Sequence, residues 1–128
     1  MKRLLIDTHV FIWWVNDDPS LGSVTRSIIS KGDNIVYVSA ATPWEISIKR
    51  SIGKLVFDID IETAMEKNNF LPLSIQHAHA ELAGDLPRHH GDPFDRMLIA
   101  QSQMEGLTLV SADTLFSQYG VRLINARL

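Results

Sequence analysis

Four acidic side chains have the chemistry and the spacing that a metal site needs, namely Asp7, Glu45, Asp95 and Asp113. Two of them follow strand-like apolar runs, and the other two lie where helical patterns begin. In an open α/β sheet, ligands bind beyond the carboxyl ends of the strands. Carboxylates gathered there repel one another unless a cation lies between them, and Mg²⁺ and Mn²⁺ are hard cations that favour oxygen ligands. The four acids therefore predict metal-dependent chemistry on a phosphate.

Glu45 also has two ordinary explanations. It lies three residues after Thr42, and the pair fits a capping box with Pro43 at the first helical position. It also precedes Lys49 by four residues, which favours an ion pair on a helix. A metal role and a purely local role are both open for this acid.

The remaining acids have local explanations as well. Asp92 fits a helix N-cap, and capping is its predicted role. Asp95 and Asp113 lie in first helical turns, where the helix dipole favours negative charge. Asp7 is the hardest to explain in this way, because an acid directly after a buried strand is not needed as a cap unless a helix opens at Thr8. One metal site accounts for all four candidate acids together, so their conjunction is stronger evidence than any single residue.

The apolar pattern alternates between strands and helices, which is typical of a parallel α/β sheet. The predicted strands are 3–6, 35–39, 70–75, 107–111 and 121–124. The predicted helices are 8–16, 23–31, one that opens at 42, then 61–67, 77–84, 93–105 and 113–118. Pro72 makes its strand an edge strand. We therefore predict a single three-layer α/β/α domain over residues 1–128, with a central, mostly parallel sheet of four or five strands.

The order of elements also predicts where Asp95 lies. The helix 93–105 leads into the strand 107–111 through Gly106 alone. In a right-handed α/β crossover, such a helix runs antiparallel to the strands. Its first turn then lies at the carboxyl edge of the sheet, beside Asp7 and Asp113.

Composition sets the outer limits. The chain has 128 residues, of which 45% are apolar, and it has no cysteine, so disulfides and thiolate zinc sites are excluded. The lack of cysteine suits a cytoplasmic protein, and no apolar run approaches the roughly 20 residues of a membrane span. A net charge of −3 does not favour nucleic-acid binding through bulk electrostatics. It does not exclude such binding, because bound metal neutralises acids.

Four segments together resemble the successive motifs of PIN-domain ribonucleases, and of VapC toxins from toxin–antitoxin pairs in particular. These segments are Leu4-Leu5-Ile6-Asp7-Thr8-His9, Pro43-Trp44-Glu45-Ile46, the run from Asp92-Pro93-Phe94-Asp95-Arg96 to Ala100, and Ser111-Ala112-Asp113. The resemblance extends over nearly the whole chain. It implies a four-acid Mg²⁺ or Mn²⁺ site that cuts RNA. It also implies that Asp7 and Asp95 are the main metal ligands, and that Glu45 and Asp113 complete the site, partly through water.

The run from Val10 to Val15 contains only apolar residues, so it is apolar on every face of a helix. A surface helix needs only one apolar stripe. The helix is therefore either buried between layers, or it presents one face to a partner. The family resemblance favours a homodimer contact or the docking groove of a cognate antitoxin.

Histidines and basic residues give weaker signals. The pair His89 and His90 lies in a loop before Asp92, and two solvated histidines are the favoured interpretation over contact with RNA phosphate or an effect on pH dependence. His9 is a weak candidate for substrate contact. A basic rim around the acids would attract a phosphate backbone, although each residue alone fits a solvated surface charge: Lys49, Arg50, Lys54, Arg88 and Arg96.

The sequence thus predicts an endonuclease that hydrolyses RNA at a four-carboxylate Mg²⁺ or Mn²⁺ site. A phosphoacceptor receiver domain is excluded because Ser39 and Ser111 stand where it needs its acceptor Asp and its Lys. A haloacid-dehalogenase-type phosphatase is excluded because His9 replaces its second Asp. A non-catalytic RNA- or protein-binding module on the same fold is the alternative that stays open.

Overall fold

Five parallel strands form one sheet at the centre of the molecule. The computed structural model describes all residues 1–128. The strands are β1 (Arg3–Ile6), β2 (Ile35–Ser39), β3 (Leu71–Leu73), β4 (Thr108–Ser111) and β5 (Leu123–Asn125). Their spatial order is β3-β2-β1-β4-β5, and every neighbouring pair is parallel. The predicted architecture is confirmed, with five strands and β3 at the edge of the sheet.

Six α-helices and one 3-10 helix connect the strands. They are α1 (Thr8–Val15), α2 (Ser23–Ser30), α3 (Ala41–Ser51), α4 (Ile61–Lys67), α5 (His77–Asp85), α6 (Pro93–Glu105) and the 3-10 helix Thr114–Tyr119. Gly106 ends α6 with a φ of 66° in the left-handed region, as its position predicted. None of these helices combines the length and the apolar character that crossing a bilayer requires.

The central strand β1 shows why the sheet is covered on both faces. Its residues Leu4, Leu5 and Ile6 have no exposed surface. Leu4 and Ile6 belong to one apolar cluster and Leu5 to a second, because successive side chains of a strand point to opposite faces. The two clusters fill the spaces between the sheet and the helices on either side. This arrangement confirms the predicted α/β/α layers.

The start of α3 differs from the prediction. The helix begins at Ala41, its N-cap is Ala40, and no side chain caps it. Thr42 therefore lies inside the helix, where its buried hydroxyl is 3.1 Å from the hydroxyl of Thr8. The predicted capping box of Thr42 and Glu45 is wrong because the helix opens earlier than the proline signal indicated. That early start leaves Glu45 without a capping role.

The apolar run in α1 fits neither a wholly buried helix nor a helix with one face open to a partner. Val10 and Phe11 are fully buried, whereas Trp13 and Trp14 are half-buried. Trp14 is tied to the fold, because its indole Nε1 donates a hydrogen bond to the side chain of Asn68 at 2.9 Å. The helix is thus neither wholly buried nor free on one whole face.

Candidate metal centre

Asp7 occupies the point where β1 ends and α1 begins. Its side chain caps α1 by accepting a hydrogen bond from the backbone N–H of Val10 at 2.9 Å. Its second oxygen accepts a 2.5 Å hydrogen bond from the hydroxyl of Ser111, at the end of β4. Because α1 opens directly at Thr8, Asp7 has the capping role that the sequence predicted for that case. The Asp7 carboxylate is thus held where the ends of the neighbouring strands β1 and β4 meet.

Burial dominates the electrostatics of Asp7. The residue is only 4% exposed. Desolvation raises the pKa of the Asp7 carboxyl, against the opposing effects of its hydrogen bonds from Ser111 and Val10. The neighbouring charge of Glu45 raises it further. A carboxylate in such a place is one that a cation would stabilise.

Asp95 and Asp113 lie on either side of one imidazole. The Nε2 atom of His90 is 3.1 Å from Asp95 Oδ2 and 2.7 Å from Asp113 Oδ2. Asp113 also caps the 3-10 helix by accepting from the backbone N–H of Leu115. The three side chains offer ligand atoms that all lie within 4.8 Å of one another. The predicted approach of Asp95 to Asp113 is therefore present, with His90 as an unexpected third member.

The pKa of Asp95 identifies the centre of the acidic cluster. Burial, followed by the charges of Asp92, Asp7, Glu45 and Asp113, raises the pKa of this carboxyl to about 8. Each of the other three candidate acids thus lies close enough to repel it. Burial and this crowding therefore favour the protonated form of Asp95 near neutral pH.

Glu45 is buried at 3% exposure, and a cation already contacts it. Its Oε2 accepts a 2.5 Å hydrogen bond from the ammonium of Lys49, four residues later on α3. That hydrogen bond, with further help from the charges of Asp92 and Asp95, raises the pKa of Lys49. The predicted helix ion pair is confirmed, and it brings a positive charge to the margin of the acidic cluster.

Asp92 has the local role that the sequence predicted for it. Its carboxylate accepts hydrogen bonds from the backbone N–H groups of Phe94 and Asp95, at 2.8 and 3.1 Å. These bonds fix the first turn of α6. Asp92 thereby orients the backbone that carries Asp95, and it adds negative charge beside the cluster.

Arg96 does not belong to a basic rim. It is 4% exposed, and its guanidinium donates hydrogen bonds to four backbone carbonyls, those of Gly84, Leu86, Pro87 and His90. Through these bonds, Arg96 holds the loop 86–92 against α6. The predictions of a substrate-facing or solvated Arg96 are both wrong, because a long loop with few side chains to bury needs a donor for its carbonyls.

A pocket of about 330 Å³ opens over this cluster. Acidic, aromatic and basic side chains share its lining, which consists of Asp7, His9, Trp13, Asp95, Ala112, Asp113 and Arg127. The guanidinium of Arg127 lies 5.2 Å from the ring of Trp13, and the ring of His9 lies 6.2 Å from it on the same helix. The acids therefore form the floor of the pocket, and its rim consists of the Arg127 cation and the rings of Trp13 and His9.

The donor set fits a hard divalent cation. Three of the four candidate acids are gathered at the pocket, and their oxygens are the ligands that Mg²⁺ and Mn²⁺ favour. Glu45 is not part of the pocket lining, although its charge acts on both Asp7 and Asp95. Such a centre can polarise a phosphate and activate a water molecule.

Sequence reasoning missed three residues of this region. Ser111 has no predicted role beyond its place in the segment Ser111-Ala112-Asp113, His90 is predicted as a solvated loop histidine, and no sequence signal indicates Arg127. The solvated interpretation of His90 is wrong, because the residue is only 9% exposed. The Ser-x-Asp spacing of Ser111 and Asp113 is the one local signal that pointed to the site. His90 and Arg127 come from a loop and from the end of the chain, where no periodicity indicates direction.

The molecule is a five-stranded parallel α/β domain with an acidic pocket at the carboxyl edge of its sheet. The sequence matches the family model described as the PIN domain over residues 4–121. The chain belongs to the PIN-domain family. Among curated proteins, none shows significant sequence similarity to it.

Solved structures of the same fold come from toxin–antitoxin complexes. The fold is similar to that of VapBC2 from Rickettsia felis bound to a promoter DNA fragment, with a TM-score of 0.67, 14% identity, and coverage of 96% of this chain and 98% of that one. It is also similar to DNA-bound VapBC from Salmonella typhimurium, with a TM-score of 0.64, 18% identity, and coverage of 98% of both chains. At these identities, the likeness concerns the fold.

Proposed function

We propose that this PIN-domain protein is a Mg²⁺- or Mn²⁺-dependent endoribonuclease. The observation that carries the proposal is the electrostatic state of Asp95. Burial and the charges of the surrounding acids raise its pKa to about 8. Charge crowding of this size costs folding energy, so it is expected at functional sites rather than in a structural core.

In this proposal, the role of each residue follows from its position in the site. Asp7, Asp95 and Asp113 would hold the ion at the pocket floor. When bound, such an ion lowers the pKa of water and neutralises charge on the phosphodiester oxygens. Ser111 and the N–H of Val10 keep the Asp7 carboxylate in place. Glu45, whose Oε2 is bonded to Lys49, would orient the attacking water or accept its proton.

The rim of the pocket supports RNA as the substrate class. Arg127 offers a cation for a phosphate, and its guanidinium lies over the aromatic ring of Trp13 at the same rim. A basic group beside aromatic side chains is the combination that binds single-stranded nucleic acids. The acids on the floor would repel the backbone without a bound ion, so substrate binding depends on metal as well as on the rim.

Removal of metal tests the proposed activity directly. The purified protein is expected to cut single-stranded RNA in Mg²⁺ or Mn²⁺, to stop in EDTA, and to recover when the ion is restored. Gel analysis of an end-labelled RNA measures internal cleavage. Activity that persists undiminished in EDTA would contradict the proposal.

A non-catalytic module is the second candidate function, and the pairing of Glu45 with Lys49 favours it. An ammonium bonded at 2.5 Å partly neutralises the acid that would take a proton. This candidate predicts RNA binding or protein binding without cleavage in any divalent ion. Filter binding and cleavage, measured on the same RNA, distinguish the two functions.

We further propose that the protein acts as the toxin of a toxin–antitoxin pair in the cytoplasm. The solved structures of similar fold, VapBC2 from Rickettsia felis and VapBC from Salmonella typhimurium, support this proposal. An exposed apolar stripe on α3 supplies a surface for an antitoxin: Trp44 is 60% exposed, Ile48 36% and Ile52 58%. Trp44 packs edge-on against Phe94, next to Asp95, so a peptide on this stripe would reach the mouth of the pocket.

The partner proposal predicts the effect of Ile52→Glu. A short neighbouring gene for a DNA-binding protein is expected, and its product should bind the chain. The substitution should weaken that binding by about tenfold or more, since a buried charge would replace an apolar contact. It should change the melting temperature little, because the residue is exposed in the isolated chain. Calorimetric titration and a melting curve measure the two effects.

Val24→Glu is the matched control, since Val24 is 56% exposed on α2, away from the stripe. It should leave partner affinity unchanged. Equal weakening by both variants would remove the α3 stripe from the interface. Light scattering of the chain without its partner tests the accompanying proposal of a homodimer.

A further inference from the structure

His90 is held at the acidic cluster by a loop whose backbone is bonded on both sides of it. The N–H of His90 donates to the hydroxyl of Tyr119 at 2.8 Å. Its carbonyl accepts from the guanidinium of Arg96 at 3.1 Å. The imidazole packs against the ring of Phe116, with 5.7 Å between centroids. These contacts fix the backbone that carries the ring.

A backbone contact determines which ring nitrogen of His90 carries a proton. The N–H of Asp92 donates a hydrogen bond to His90 Nδ1 at 3.2 Å. A nitrogen that accepts a hydrogen bond has no proton of its own, so the proton of a neutral imidazole is on Nε2. The cationic form also has a proton on Nε2. The atom that faces Asp95 and Asp113 is thus a donor in either state.

This arrangement is the opposite of a metal-binding histidine. A ligating histidine offers the lone pair of one nitrogen to the metal, and its other nitrogen donates to a carbonyl or carboxylate. In His90, the outer nitrogen accepts from Asp92, and the inner one donates to Asp113 and lies 3.1 Å from Asp95 Oδ2. Binding a metal through Nε2 would move a proton to Nδ1, against the N–H of Asp92.

We propose that His90 is a positioning residue whose Nε2–H takes the place of the divalent ion between Asp95 and Asp113, and that the ion binds by displacing it. The proposal rests on the metal site of the proposed function. In the metal-free protein, this N–H bonds to Asp113 and lies 3.1 Å from Asp95, so it holds the two acidic side chains close to each other. This contact must break when metal binds, and breaking it costs free energy. His90 therefore lowers the affinity for Mg²⁺ and raises the concentration at which the site fills.

Magnesium titration of His90→Ala tests the displacement. The Kd for Mg²⁺, measured by calorimetry on the full chain, should fall about tenfold, which corresponds to about 1.4 kcal/mol. In EDTA, the variant should melt below the unsubstituted protein, because Asp113 loses its donor and the two half-buried acids lose the ring between them. With saturating MgCl₂, its gain in melting temperature should exceed that of the unsubstituted protein. A residue with only a packing role would shift both melts alike.

Two further variants complete the test. His90→Gln places an amide donor near the position of Nε2 and should restore most of the original Kd. His89→Ala removes the neighbouring exposed histidine, whose ring packs on Tyr119, and should leave the Kd unchanged. A higher Kd in His90→Ala would overturn the proposal and make His90 a metal ligand, and an unchanged Kd would overturn it as well. If MgCl₂ shifts neither protein, the metal site itself fails together with this role of His90.

Discussion

Replacing Asp95 or Asp7 by Asn is expected to lower the rate of RNA cleavage by at least about 100-fold, the scale that follows when one group that stabilises transition-state charge is lost. Each change removes one negative charge from the pocket floor and keeps nearly the same shape. Asn at position 7 still accepts the hydrogen bond of Val10, so α1 keeps its cap. Initial rates on a labelled RNA, together with far-UV spectra, separate lost chemistry from lost structure.

Asp60→Asn is the matched control for these substitutions. Asp60 caps α4 in the same way that Asp7 caps α1, but its carboxylate is solvent-exposed and lies outside the pocket. The control should cleave RNA at the unsubstituted rate. Undiminished cleavage by both Asp7→Asn and Asp95→Asn would mean that the acids are not catalytic, and it would indicate a contaminating nuclease.

The second large effect concerns stability in the absence of metal, because crowding shifts the titration of Asp95. Its pKa is raised from 3.8 to about 8 in the folded protein. Between these values, the folded state keeps a proton that the unfolded state has released, so the free energy of unfolding falls as the pH rises. The contribution is complete below the unfolded pKa and is lost as the pH passes the folded one. One such proton contributes a slope of at most about 1.4 kcal/mol per pH unit.

Asp95→Asn should remove this slope. In EDTA near pH 8, the variant should therefore melt at or above the temperature of the unsubstituted protein. Added Mg²⁺ should reverse the order, because a ligand that binds only the folded state adds roughly 2.7 kcal/mol at a hundredfold excess over its Kd. Thermal melts of both proteins, across pH and across a Mg²⁺ series, measure the crossover.

A purely local role for Asp95 gives a different pattern. If the residue served only the dipole of α6, its replacement by Asn would cost about 0.3–1 kcal/mol, with or without metal. The two proteins would then keep the same order in EDTA and in Mg²⁺. An equal response to metal would remove Asp95 from the site.

The sequence by itself determined the fold and the edge of the sheet at which the acids gather. Apolar runs with a period of two or 3.6 identified the strands and helices to within a few residues, because burial imposes these periods along the chain. Pro72 correctly indicated an edge strand, since proline cannot donate to a central ladder. The single-glycine connection at Gly106 correctly predicted that Asp95 lies beside Asp113.

Only the tertiary structure decided how each acid is partnered. The hydroxyl of Ser111 bonds to Asp7 across 104 positions of sequence, and the imidazole of His90 lies between Asp95 and Asp113. The buried guanidinium of Arg96 fixes the path of the loop that carries His90 through hydrogen bonds to backbone carbonyls. Such contacts have no period along the chain. They depend on the packing of loops against helix ends, and so on the positions of carbonyls and side chains that become neighbours only after folding.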